Sequence, residues 1–232
     1  MCQRYALPDQ ATVEREFMPS RAWWRFAAKY NVAAKQYVPA IRWHDGQSEA
    51  VMMRWGLIPS FTEDRVTESA LTVGDSPLTI DVNEIMSSPV FRSAWLEGQR
   101  CILPMSGFFA WQLTNRRYRQ PHFVHLLDRS VFGIAAIWDR SVTEDDDVIE
   151  SCAILCVPPN DLIVRVANTD GCMPAILRRK DYQTWLRDTP VAAKATLRTY
   201  NQGRMQAYAV SPRINSTAPD DPGLIQAAEL VV

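Results

Sequence analysis

Short strand-like segments separated by turn residues dominate this chain, and they constrain its fold more than any other feature. Five of them follow closely on one another, at 101–104, 108–113, 122–127, 131–137 and 149–157. Asn115, Asp128 and the acidic run 144–147 lie between them, and we expect the acidic run to form a solvated hairpin loop. Short strands at this spacing are typical of a sandwich or barrel. The spacing therefore predicts an α+β fold whose β core is a barrel or a sandwich.

Local signals place further elements around this core. Asp45-Gly46 lies between strand-like segments 38–43 and 50–55, which predicts a β-hairpin with a tight turn. Asp9 is a good N-cap for a helix reaching about Met18, and Ser88-Pro89 predicts a helix reaching about Trp95. The remaining expectations are a helix from Ser20 through Phe26, helices at 181–186 and 191–200, and a strand at 205–210.

Composition bounds the class of protein. The chain has 232 residues, of which 47% are hydrophobic, and no linker divides it, so we expect one domain over 1–232. It lacks a basic segment followed by an apolar run and any apolar stretch of about 18 residues. With five cysteines, an odd number, this predicts a soluble cytoplasmic protein without membrane contact. A net charge of −1 argues against DNA binding through bulk charge and leaves a local basic groove as the alternative.

The other chemically active side chains fit structural roles. Cys152 and Cys156 alternate with Ile154 on one face of a predicted strand, which favours core packing. His122 and His125 are three residues apart on a strand and face opposite sides. We therefore expect neither a metal site nor a cofactor.

Cys2 carries the most distinctive chemistry. Removal of Met1 would leave one residue with both a free α-amine and a thiol. The amine condenses with an aldehyde to an imine, and the thiol closes on the same carbon to give a thiazolidine. These groups titrate near about 7.7–8.0 and about 8.5, so reactive fractions of both exist at neutral pH. The alternative is a cysteine that simply packs as a small apolar residue.

Motif blocks along the whole chain favour the reactive interpretation. They include Met-Cys-Gln-Arg-Tyr at 1–5, Tyr-Asn-Val-Ala at 30–33, Arg-Trp-Gly-Leu-Ile-Pro-Ser-Phe at 54–61, Gly-Phe-Phe-Ala-Trp at 107–111, Met-Pro-Ala-Ile-Leu at 173–177 and Val-Ser-Pro-Arg-Ile-Asn at 210–215. In order and spacing these blocks resemble the SRAP family, the SOS-response-associated peptidases or abasic-site processing proteins. The resemblance implies a single SRAP-type domain of the α+β class, with a barrel-like, mostly antiparallel β core and peripheral helices.

The resemblance also implies an active centre, which is altered in this chain. The family pairs its terminal cysteine with an asparagine, a glutamate and a histidine. The glutamate position reads Ala110, the histidine position reads Asp170, and the asparagine position falls on Asp81 or Asn83. The implied catalytic set is therefore Cys2, Asp81, Asn83 and Asp170. General acid–base groups each contribute about 10²–10⁴-fold, so the altered positions predict impaired catalysis, although their loss need not abolish capture.

The function implied by the resemblance is abasic-site sensing in the DNA-damage response. A monomer would bind single-stranded DNA and join the abasic-site aldehyde to Cys2 after autoproteolytic or aminopeptidase removal of Met1. The implied DNA contacts are Arg4, Asn31, Trp55, Phe61, Arg92 and Arg213, with Trp55 and Phe61 stacking on bases. Bound to DNA, the protein would associate with the nucleoid. The alternative is a catalytically weak relative that only binds DNA or another protein.

Overall fold

The computed structural model describes residues 3–60, 76–114 and 118–228. The strands in these ranges are β1 (Arg4–Leu7), β2 (Arg21–Ala22), β3 (Lys29–Ala33), β4 (Tyr37–His44), β5 (Gln47–Trp55), β6 (Thr79–Asp81), β7 (Arg100–Met105), β8 (Gly107–Leu113), β9 (Arg119–Leu126), β10 (Phe132–Val142), β11 (Val148–Val157), β12 (Met173–Pro174) and β13 (Met205–Ala209). The α-helices there are α1 (Gln10–Phe17), α2 (Pro89–Leu96), α3 (Asp161–Val166), α4 (Tyr182–Arg187) and α5 (Pro190–Thr196). The α+β class and the barrel-like core are confirmed.

Five strands close into a barrel in the order β4-β5-β11-β10-β7 and back to β4. Four of the junctions are antiparallel. The fifth is a short parallel seam that pairs Arg54 with Ser151 and Trp55 with Cys152. Closure removes the free edges that an open sheet would expose at these positions.

A second sheet of five strands, in the order β13-β9-β8-β1-β3, packs on the barrel. Its inner face contributes Tyr5, whose ring meets the Trp55 ring edge-on with centroids 5.2 Å apart. The outer face carries a smaller apolar cluster that includes Phe109 and Phe123. Short 3-10 helices at Pro212–Asn215 and Pro222–Ile225 cover that cluster with Ile214 and Leu224. The carboxy-terminal part of the chain therefore lies against the outer face of this sheet.

Most local expectations hold. Asp9 caps α1 through the backbone N–H of Thr12, and α2 begins at Pro89. The hairpin of β4 and β5 turns at Asp45 and Gly46, which both have positive φ. Cys152, Ile154 and Cys156 are buried in the core, and the acidic loop 144–147 is exposed between β10 and β11.

The predicted helix from Ser20 to Phe26 is wrong. Instead, Arg21 and Ala22 form β2, and the N–H groups of Ser20 and Trp23 donate to Ser48 and Ala50 of β5. The free edge of β5 satisfies those donors and so overrides local helix propensity. The predicted helix at 191–200 also ends early, because α5 stops at Thr196. Within the described ranges, no helix is both long enough and apolar enough to cross a membrane.

Candidate active site

A cavity of about 520 Å³ opens where β1 and β9 begin, beside β8. We call it the Arg4 cavity. Its lining comes from five separate parts of the chain and consists of Gln3, Arg4, Trp111, Tyr118, Arg119, Asp170 and Asn215. The site thus combines two guanidinium groups, one carboxylate and an aromatic wall. Its lining includes Gln3, the residue that follows Cys2 in the sequence.

Arg4 is held in place by the amino-terminal and carboxy-terminal parts of the chain together. Its Nη1 donates to Asn31 Oδ1 at 2.8 Å, and its Nη2 donates to the Asn215 carbonyl at 3.2 Å. The Trp111 indole N–H donates to Asn215 Oδ1 at 2.8 Å. Partial burial lowers the pKa of Arg4, which still stays far above neutral pH. The result is a fixed positive charge at the wall of the cavity.

Asn31 is buried beneath this arrangement. Its Nδ2 donates to the carbonyls of Ser216 and Pro219 at 2.8 and 2.9 Å, while its Oδ1 accepts from Arg4. Its backbone N–H donates to Asp220. These bonds use both the donor and the acceptor of the amide. Asn31 therefore orients Arg4 and anchors the carboxy-terminal segment.

Trp55 lies in the core rather than at the surface. Its side chain is fully buried, and the indole N–H donates to the Leu78 carbonyl at 3.0 Å. A ring with no exposed face has nothing to stack on a base. We therefore assign Trp55 to the junction between the barrel and the second sheet and leave it out of the DNA-contact set.

Asp81 and Asp170 come together around the thiol of Cys172. In the sheet, Asp81 pairs with Cys156, which also pairs with Pro174, two residues beyond Cys172. A hydrogen bond with Cys156 lowers the pKa of Cys172 against the effect of burial. The negative charges of Asp81 and Asp170 act in the opposite direction and raise that pKa. Asp170 also lines the Arg4 cavity, so the same carboxylate acts on the Cys172 thiol and borders the cavity.

The other expected site residues are more dispersed. Asn83 is exposed on the turn after β6, where its backbone N–H donates to Asp81 Oδ1. Arg213 belongs to the same 3-10 helix as Asn215 and is ion-paired with Asp221 at 2.6 Å. Arg92 is exposed on α2, next to a separate hollow. Cys2 and Phe61 lie outside the described residues. Among the described side chains, no group of three or more His, Cys, Asp or Glu is arranged to hold a metal.

A family model described as SOS response associated peptidase (SRAP) matches residues 1–217. The chain belongs to the SRAP family. The Bacillus subtilis abasic site processing protein YoqW is 28% identical to this SRAP chain over 94% of the chain and 90% of its own length. Abasic site processing protein YoaM from the same organism is 26% identical over 98% of both. A solved structure of a Bacteroides thetaiotaomicron protein matches with a TM-score of 0.77 and 27% identity, over 86% of this chain and 85% of that one.

One residue of this SRAP chain that sequence reasoning set aside lies opposite the altered glutamate position. Ala110 in β8 pairs directly with His122 in β9, and their exposed fractions are 4% and 7%. Extending the β1–β8 register from Tyr5 and Phe108 by two residues sets Gln3 on the other side of Ala110. Direct cross-strand partners have Cβ atoms about 4.5–5.5 Å apart and point to one face. The imidazole therefore lies beside the space that a longer residue 110 would fill.

The hydrogen bond of His122 fixes its tautomer. Nδ1 lies 3.2 Å from the Gln120 carbonyl. Because a carbonyl oxygen only accepts, the proton is on Nδ1, and Nε2 is a proton acceptor. Burial lowers the pKa of His122 below its ordinary value of 6.5, against the effect of that hydrogen bond. The ring is therefore neutral at pH 7 and suited to accept a proton. Sequence reasoning would have found His122 by pairing the two predicted strands 108–113 and 122–127 in the register that sets Ala110 opposite His122.

Proposed function

We propose that this chain processes abasic sites in DNA, as the names of its relatives say of those proteins. The observation that carries the proposal is the family match over residues 1–217 together with the Arg4 cavity, which begins at Gln3. The cavity offers Arg4 and Arg119 to phosphate oxygens and Trp111 to a base or sugar. A single chain supplies all these groups, so we expect a monomer to act on single-stranded DNA.

The chemistry we propose is covalent capture by Cys2 once Met1 has been removed. The α-amine attacks the open-chain aldehyde carbon, and loss of one water gives the imine. The thiol then adds to that carbon as its proton passes to nitrogen, which closes a thiazolidine. No oxidant or reductant is needed, and one water is released in total. The peptidase activity in the family description would correspond to release of Met1.

Two side chains are suited to move the protons that these steps require. Asp170 lines the cavity and is proposed to help open the sugar hemiacetal to its aldehyde. His122 is proposed to accept protons near residue 110, where this chain has no carboxylate of its own. Asp81 is proposed to act less directly, because its negative charge raises the pKa of the Cys172 thiol.

We propose a DNA-contact set smaller than the sequence alone suggested. Its arginines are Arg4 in the cavity wall, Arg213 in the 3-10 helix that also contains Asn215, and the exposed Arg92 on α2. Because Arg213 is exposed and paired with the exposed Asp221, phosphate can replace that partner at small cost. Asn31 then acts only through Arg4.

The second candidate function is binding without covalent chemistry, and Ala110 favours it because an alanine cannot move a proton. The deciding experiment is denaturing-gel crosslinking to a single strand with one abasic site, using protein whose loss of Met1 has been confirmed by mass spectrometry. Cys2→Ala and Cys172→Ala serve as matched thiol variants. A heat-stable adduct that Cys2→Ala abolishes and Cys172→Ala preserves supports capture. No adduct over hours supports binding alone, and an adduct that depends on Cys172 overturns the role of Cys2.

A further inference from the structure

A second cavity, of about 680 Å³, has a strongly cationic lining. We call it the basic cavity. Its cations are Arg129, Arg178, Arg179, Lys180, Arg198 and Arg204. Neutral residues such as Thr199 and Asn201 supply the remaining polar groups, and no Asp or Glu is among the described residues that line it. Six of the chain's 25 Lys and Arg residues therefore surround one hollow in a protein whose net charge is −1.

Neighbouring carboxylates neutralise only part of this charge. Arg204 pairs with Asp128 at 2.9 Å, and Arg179 lies 3.6 Å from Glu16. Within the described parts of the chain, the other four cations have no carboxylate within ion-pair distance. Like charges this close repel one another, so an anion in the cavity would relieve the repulsion.

Arg129 provides an independent indication of a ligand. Its Nη1 is buried and has no hydrogen-bond partner among the described residues. A buried charged donor left unsatisfied is costly, by more than the roughly 1–3 kcal/mol of a neutral group. An acceptor oxygen in the cavity would satisfy it. Guanidinium groups bind phosphate through two parallel hydrogen bonds, which favours phosphate over a simple halide.

The basic cavity is separate from the Arg4 cavity. Arg119, where β9 begins, lines the Arg4 cavity, whereas Arg129 follows the end of β9 and lines the basic cavity. The Leu127 N–H donates to the Arg204 carbonyl at 3.0 Å, which places Arg204 at that same end. Eight strand residues at about 3.3 Å each separate the two sites by about 25 Å.

We propose that the basic cavity is a second phosphate-binding site, which holds backbone phosphates of the DNA whose abasic site occupies the Arg4 cavity. The choice of DNA as the source of phosphate rests on the proposed function. At about 3.4 Å per nucleotide along a stacked strand, 25 Å corresponds to roughly seven nucleotides. Long substrates therefore engage both cavities, and short ones engage only the first.

The test compares non-covalent binding of a 25-nucleotide and a 5-nucleotide single strand by fluorescence anisotropy, over a series of salt concentrations. The protein is Cys2→Ala, so that covalent capture does not contribute. The cavity variant is Arg178→Gln with Arg198→Gln, both exposed positions. The matched control is Arg25→Gln with Arg140→Gln, which removes the same charge from exposed positions elsewhere. Calorimetry with tripolyphosphate measures binding of a free phosphate compound.

The expected result is a loss of about tenfold in affinity for the long strand only. The slope of log affinity against log salt should fall by about 1.4 in magnitude, at about 0.7 per phosphate contact. An equal loss in the control variant, or no loss in either, overturns the proposal. Tripolyphosphate binding lost in the cavity variant with DNA affinity unchanged would show a site for free phosphate compounds and overturn the choice of DNA. Crosslinking is scored separately, so failure of Cys2 chemistry leaves this result readable.

Discussion

Ala110 and His122 are direct partners across β8 and β9, and the imidazole faces the same side of the sheet as the alanine methyl group. SRAP relatives with a glutamate at the position of Ala110 would carry a carboxylate there. In this chain the residue directly across the sheet from that position is His122, which carries a titratable imidazole. We propose that the imidazole of His122, on the strand paired with Ala110, takes over proton transfer at this position.

His122→Asn should slow abasic-site crosslinking by about 10²-fold at pH 7.5, because it removes the proton acceptor. Rates from quenched time points on denaturing gels measure the effect. His125→Asn on the same strand is the control and should react at the wild-type rate. The defect should shrink as pH falls through the lowered pKa of His122, where the wild-type ring becomes protonated. Equal rates for the two variants at pH 7.5 would remove His122 from the mechanism.

The same pKa shift predicts how stability changes with pH. The unfolded chain binds a proton at His122 near pH 6.5, whereas the folded chain binds it only at lower pH. Between those two pKa values the unfolded state holds more protons, so stability falls as pH drops below about 6.5. Urea unfolding at pH 7.5 and pH 5 should show a smaller loss in His122→Asn than in wild type. An identical loss in both proteins would contradict the lowered pKa.

Asp170→Asn should have opposite effects on two thiol reactions. Removing its negative charge lowers the pKa of Cys172 further, so alkylation of Cys172 should accelerate near pH 7. Crosslinking through Cys2 should slow, because a proton-transfer group is lost. Peptide mass spectrometry after timed iodoacetamide treatment reads the first reaction, with buried Cys101 as an internal reference. Asp145→Asn, in the exposed hairpin loop, should change neither reaction. Slower alkylation in Asp170→Asn would mean that the carboxylate does not act on Cys172.

Asn31→Ala should destabilise the fold by about 2–3 kcal/mol, because the carbonyls of Ser216 and Pro219 lose their donor and Arg4 loses its acceptor. For a chain of this length that lowers Tm by roughly 4–12 °C. Asn83→Ala, at an exposed turn, should change stability by less than about 0.5 kcal/mol. Calorimetry measures both. A normal Tm with weakened DNA binding would instead support direct contact between Asn31 and DNA.

Gly107→Ala tests the close packing of β8 on β9. An added Cβ would lie 2.2 Å from Cζ of Phe123 and 2.7 Å from the Val124 carbonyl oxygen. The backbone must shift, and we expect a loss of about 3 kcal/mol in the free energy of unfolding. At Gly171 an added Cβ has open space, so Gly171→Ala should be nearly neutral. Similar unfolding midpoints for the two variants would show that the β8–β9 packing is looser than described.

The sequence predicted elements whose signals are local and missed those set by distant partners. Asp45-Gly46 was sufficient for the β4–β5 hairpin, because the turn needs residues that tolerate positive φ. The segment around Trp23 was misassigned because its hydrogen-bond acceptors belong to β5. The parallel seam between Arg54 and Ser151 carries no local signal at all.

The residues of the candidate site also fall into those that local sequence signals identify and those that depend on distant partners. Counting back from Met173-Pro174 was enough to select Asp170, which lines the cavity. That Trp55 is buried could be learned only from the residues packed around it in the fold. A tryptophan in a motif block looks the same in the sequence whether it is buried or exposed. The position of His122 depended on strand register, which fixes the face that every side chain takes.

The attachment of Arg4 to Asn215 joins residues 211 positions apart, and Asn31 is held by Ser216, Pro219 and Asp220. During synthesis the amino terminus leaves the ribosome first, long before these partners exist. Until those partners have left the ribosome, Arg4 and Asn31 lack the hydrogen bonds that hold them in the folded protein. We therefore expect the Arg4 cavity to be assembled late in folding, after the carboxy-terminal segment has packed against the second sheet.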